Sequence, residues 1–128
     1  MNQRSVFLIV AFLAGANVLP ATNVLAADDA GALMTELAQQ LRQHGEKYAR
    51  CVDNTAARHA QNATSSAETA AAASLEDCEG VLRVFIASCS QNIQTLCENF
   101  AKDMRAQERD RAAALIARLR MEKNAEKK

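Results

Sequence analysis

Tryptophan is absent from this 128-residue chain, proline occurs once (Pro20), tyrosine once and glycine four times. The aromatic content is only 4%. Sheets draw on β-branched and aromatic side chains, so a chain this poor in aromatic residues and this rich in alanine is expected to be helical throughout. The scarcity of large apolar side chains also argues against a deep enzyme pocket, because nearly all of them are needed to pack a chain of this size. An excess of either charge is missing as well: 15 basic residues balance 15 acidic ones. No C-x-x-C, C-x-x-C-H or H-E-x-x-H occurs, which excludes the usual zinc, c-haem and metalloprotease spacings. Nothing glycine-rich is present to cradle a phosphate.

What is present begins with an export signature. Arg4 is the only charge in residues 1–26, and the apolar run of residues 6–16 follows it, then Pro20 and a small-residue exit ending in Val24-Leu25-Ala26. This order matches a cleaved signal peptide, with cleavage expected after Ala26 or one residue later. The apolar run falls short of the roughly 20 residues that a helix needs to cross a bilayer. No cysteine lies at the exit, so the lipid-attachment pattern is missing. The expected mature chain, residues 27–128, has 22 alanines, three glycines and no proline.

Helical periodicity organises the remainder. Leu33, Leu37, Leu41, His44, Tyr48, Cys51 and Val52 recur at steps of three and four and predict a helix from about residue 29 to about residue 60. Gly45 is a weak point within it. Asn62-Ala63-Thr64-Ser65-Ser66 is the clearest turn signal. Ser65 precedes Glu68 by three residues, the spacing of a capping box, so a second helix is expected to start near Ser66. Its stripe runs through Leu75, Cys78, Leu82, Phe85, Ile86, Cys89, Ile93, Leu96, Cys97, Phe100 and Met104. Residues 102–111 are then too charged to be expected in a core, and a solvated terminal helix is expected there. The fold class expected is all-α, an antiparallel helical hairpin in residues 27–100 with a charged helical arm in residues 101–128.

All four cysteines, Cys51, Cys78, Cys89 and Cys97, follow the signal, and an even number in an exported chain is expected to form disulfides. The midpoint between Cys51 and Cys78 falls inside the turn, and residues equidistant from a hairpin turn lie opposite each other. That pair is therefore expected to close a loop of about 28 residues, stabilising the fold by roughly 3–4 kcal/mol. Cys89 and Cys97 are harder to place. Eight residues of unbroken helix would hold their Cα atoms about 12 Å apart, beyond the roughly 7 Å limit for a disulfide. An intrachain bond, expected because exported proteins seldom keep spare thiols, requires a break near Ser90-Gln91-Asn92; otherwise each would pair with a second molecule.

No catalytic, cofactor-binding or metal-ligating residue emerges. His44 lies on an apolar stripe and is expected to pack there, and His59 is too far along the same helix to activate Cys51. Met34, Met104 and Met121 are expected to fill gaps, not to bind copper. Glu76, Asp77 and Glu79 flank the second stripe as a solvated face. Asn62-Ala63-Thr64 is formally a glycosylation sequon, relevant only in a eukaryotic host.

Charge is nonetheless uneven. Residues 27–100 carry five basic and ten acidic groups, whereas residues 101–128 carry nine basic and five acidic ones. A basic segment beside an acidic body suits head-to-tail docking, including a homodimer, or an anionic envelope partner. Nucleic acid is not expected as a partner, since the arm has no aromatic residue to stack on bases. Stable membrane insertion is not expected either, because the patch at Leu115, Ile116 and Leu119 lacks an aromatic anchor.

Tyr48-Ala49-Arg50-Cys51, the alanine-spaced run through Ala57 and Ala60, and the alanines at 70–73 leading to Cys78 resemble a group of small exported bacterial proteins. These share a Y-x-x-C, alanine-rich, second-cysteine hairpin, and the resemblance covers residues 48–78. It implies a bacterial envelope setting and no activity. The functional expectation is a periplasmic or secreted, non-enzymatic protein acting through its surface on an unknown protein or envelope partner. The rival is an envelope redox or metal-handling protein using Cys89 and Cys97 as free thiols.

Overall fold

The computed structural model describes the backbone of residues 22–62 and 64–128, and the side chains from residue 29 onward within that range. Most of the expected signal segment lies outside the described residues. Among the described residues the chain is helical, without strands: α1 spans Thr22–Asn62, α2 Ala67–Ser88 and α3 Gln94–Glu126, with a single 3₁₀ turn at Gln91–Ile93. The chain divides into two units, Met1–Ala38 and Gln39–Lys128.

In the first unit the described residues belong to α1. Thr35 donates its hydroxyl to the carbonyl of Gly31 at 3.0 Å, back-bonding along the helix. Leu33 and Met34 are 70% and 66% exposed.

The second unit is a three-helix bundle. Cys51 of α1 is bonded to Cys78 of α2 with Cα atoms 5.9 Å apart, and Thr55 lies 3.3 Å from the Ser74 carbonyl, so numbering rises on one helix as it falls on the other. The α1–α2 pair is therefore the expected antiparallel hairpin. Helix α3 turns back along α2 and runs parallel to α1: Gly45 faces Phe100, Ala49 and Asp53 face Arg111, and Gln61 faces Lys123.

Small residues set how closely these helices approach. Ala56, Ala60, Ala70, Ala71, Ala101 and Ala112 are buried between them, and Tyr48, Val52, Leu75, Leu82, Phe85 and Ile116 supply the larger apolar volume. At Gly45 a methyl group would stand 3.3 Å from the Phe100 ring, so the glycine marks a close approach of α1 and α3. The weak point in helix propensity is thus a packing position.

One local boundary differs from expectation by a single residue. The N-cap of α2 is Ser66, not Ser65: its backbone is extended and its hydroxyl accepts from the Thr69 N–H at 3.1 Å. Thr69 occupies the third helical position, where Glu68 was expected, and its hydroxyl bonds Ser66 Oγ at 3.0 Å. At the other end the long second stripe is interrupted, as the expected Cys89–Cys97 bond requires. Ser88 donates to the Phe85 carbonyl at 2.6 Å, Cys89 turns extended, and its N–H bonds the Ile86 carbonyl at 3.1 Å. Such local bonds compete with helix continuation. The break brings Cys89 and Cys97 to a Cα separation of 6.7 Å, within disulfide range, and the two are bonded.

The charged arm is the larger correction. Residues 101–126 are not a solvated appendage but most of α3, and Ala101, Glu108, Ala112 and Ile116 form its buried stripe. Glu108 is only 2% exposed. Its carboxylate is held by Arg111 one turn later, whose Nε donates at 2.7 Å. A buried charge with a hydrogen-bonded partner is tolerable where an isolated one is not.

Candidate interaction surface

The bundle's middle is polar as well as apolar. Tyr48 of α1 is fully buried, and its hydroxyl has no hydrogen-bond partner among the described residues. Burial pushes its pKa up to about 12, with the negative charge of Glu79 adding to the rise and Arg105 opposing it. Glu79 on α2 and Arg105 on α3 form a bidentate pair: Arg105 Nε donates to one carboxylate oxygen at 2.9 Å and Nη2 donates to the other. These bonds hold the Glu79 carboxyl below its ordinary value and raise the Arg105 guanidinium. Arg111 bridges Glu108 to Asp53 of α1 at 3.0 Å and also donates to the Ala49 carbonyl at 3.3 Å. Much of the basic excess of residues 101–128 is thus matched within the chain.

Further along α3, Arg120 donates to the Ser65 carbonyl at 2.6 Å and Lys123 to the Gln61 carbonyl at 3.2 Å. Gln61 is in the last turn of α1, where carbonyls lack intrahelical partners and the helix dipole favours cations. Lys123 of α3 therefore caps α1, and Arg120 ties down the turn that follows it.

A groove of about 500 Å³ runs between α2 and α3, floored by Ala72 and Leu75 and edged by Glu76, Arg83 and Arg109 around the Glu79–Arg105 pair. Arg83 and Arg109 are exposed and make no hydrogen bond or ion pair among the described residues. The sequence offered a signal for this juxtaposition that periodicity alone does not use. Glu79 lies ten residues before Cys89 and Arg105 eight after Cys97, so a disulfide-closed turn sets them opposite each other within a turn of helix.

The residues singled out from sequence are dispersed. His44 stacks against Phe85 with ring centroids 4.8 Å apart, and His59 pairs with Asp77 at 3.0 Å, away from Cys51. Met104 packs beside Gly45, while Met34 and Met121 are exposed. Asp77 and Glu79 are each engaged by a neighbouring helix, leaving only Glu76 of that trio as a solvated charge. Both disulfides are formed and no described cysteine is free, so a thiol role for Cys89 and Cys97 would first require reduction. Among the described residues no helix is long and apolar enough to cross a membrane, and no group of three His, Cys, Asp or Glu side chains is gathered that could hold a metal ion. Asn62 is exposed at the end of α1, and Ala63 of the sequon lies outside the described residues.

No family model, curated protein or solved structure matches this chain. The chemistry it does display is that of an oxidising compartment, since paired disulfides form and persist there. Two surfaces stand out physically. One is the exposed apolar stripe of α1 around Leu33 and Met34; the other is the arginine-edged groove.

Proposed function

We propose that this chain is a periplasmic or secreted, non-enzymatic helical protein that acts by binding a protein or envelope surface through the first half of α1. The observation that carries this reading is the exposure of Leu33 and Met34, 70% and 66%, on a helix whose later turns bury the same kind of stripe. Adjacent exposed apolar side chains on a regular helix favour a partner that removes them from water. The two disulfides support an exported setting, and the likeness to small exported bacterial proteins supports a bacterial envelope.

Site-specific photo-crosslinking in the exporting cell tests it. A crosslinker at Leu33 or Met34 is expected to give discrete adducts, whereas one at Arg58 or Glu98, both exposed in the second unit, is expected to give none. Equal labelling from all four positions, or none from any, would discard the proposal.

A further inference from the structure

We infer that Cys89 is a thiol-exchange site: the thiolate of an external dithiol attacks its sulfur, and Cys97 is the sulfur expelled. The inference is independent of the α1 stripe and concerns only the bond between Cys89 and Cys97.

Access decides which sulfur is attacked. Cys97 is fully buried, whereas Cys89 is half-buried in a turn whose members Ser88, Ser90, Gln91 and Asn92 are all exposed. No charged residue lies between Arg83 and Glu98, so the turn itself carries no carboxylate to repel an anionic thiolate. The helix ends set the same direction. Cys89 is the C-cap of α2, where the dipole disfavours negative charge, and Cys97 stands in the first turn of α3, where the dipole favours a thiolate. No acidic residue occupies that turn to oppose it. The more readily a sulfur departs as thiolate, the faster the exchange.

The other disulfide lacks this polarity. Cys51 is half-buried too, but attack there would expel Cys78, which is 1% exposed and lies within α2, away from either helix end. The Thr55 hydroxyl beside its sulfur is already engaged with the Val52 carbonyl at 3.0 Å. Opening at Cys89 also spares the fold, because the hydrogen bonds of Ser88 and of the Cys89 N–H that end α2 involve no sulfur.

The exchange has two steps. The attacking thiolate bonds Cys89 Sγ, the Cys89–Cys97 bond breaks, and its electron pair leaves on Cys97 Sγ, which takes a proton from solvent. The second thiol of the reagent then loses its proton and attacks its own partner sulfur, releasing Cys89, which is protonated in turn. Cys89 and Cys97 are thereby reduced by two electrons and the dithiol is oxidised to a disulfide.

Peptide mapping on the folded, oxidised protein tests this, after treatment with glutathione or with dithiothreitol, acid quenching and alkylation. Glutathione, a monothiol that stalls at the first step, is expected on Cys89 with Cys97 alkylated. Dithiothreitol should leave both alkylated and the helical circular dichroism unchanged, while Cys51–Cys78 opens at least about tenfold more slowly. Glutathione found on Cys97, Cys51–Cys78 opening first or at the same rate, or opening of Cys89–Cys97 only in step with loss of the helical signal would overturn the inference.

Discussion

Tyr48 places a phenol in the bundle's centre, where desolvation favours its neutral form and the Glu79 carboxylate disfavours a second negative charge nearby. Its folded-state pKa of about 12 exceeds the ordinary value of 10, so between those values the unfolded chain loses the phenolic proton while the folded chain keeps it. Stability attributable to this residue is therefore complete below pH 10 and is lost as pH rises toward 12, by about 2–3 kcal/mol in all. The measurement is clean because the chain contains one tyrosine and no tryptophan. Phenolate absorbance is expected to appear with a midpoint near pH 12 in the folded protein and to return to about 10 in denaturant. A native midpoint near 10 would show that the ring is solvated. Tyr48→Phe removes a hydroxyl that makes no hydrogen bond among the described residues, so it should leave stability nearly unchanged or slightly raised.

Helix α3 shows how a stripe can be misread when one of its members is charged. Ala101, Glu108, Ala112 and Ile116 keep the helical period, but Glu108 falls in the most charged stretch of the chain and hides the period from any apolar count. Its burial becomes legible only with its partner: Arg111 is three residues on, near enough to hold the carboxylate, and reaches Asp53 of α1 with the same guanidinium. The two members are unequal. Arg111→Ala leaves a buried carboxylate with no cation, and is expected to cost about 2–4 kcal/mol in denaturant unfolding. Glu108→Leu removes the buried charge and leaves a half-exposed arginine in reach of Asp53, and should cost no more than about 1 kcal/mol. Equal losses would mean that Glu108 is solvated in solution. Elements α1 and α2 were legible for the opposite reason, since their buried faces are apolar and a serine cap starts α2. The identity of the cap, Ser66 and not Ser65, escaped, because two adjacent hydroxyls offer the same chemistry. The exposed stripe of α1 was visible as a period, yet a period does not say whether a neighbour covers it, and the groove depends on a register that only the second disulfide encodes.

The two disulfides divide the work of holding the second unit together, and their contributions should differ. Cys51–Cys78 closes 28 residues and ties the seam between two long helices, whereas Cys89–Cys97 closes nine across a turn whose ends the short connection already keeps near each other. In the chain-entropy description the longer loop contributes about 3.5 kcal/mol and the shorter about 2.5 kcal/mol. Replacing each pair by alanine avoids leaving a lone thiol, and equilibrium unfolding of the two double variants should rank them in that order. The hydrogen bonds of Ser88 and the Cys89 N–H stop α2 without help from sulfur, so the variant lacking Cys89 and Cys97 should keep its helix break and full helical dichroism. A larger loss in that variant, or a gain in helicity as α2 and α3 fuse, would show that the bond itself imposes the turn. Residues equidistant from the turn would then no longer be held opposite, and the groove edged by Arg83 and Arg109 would open with it.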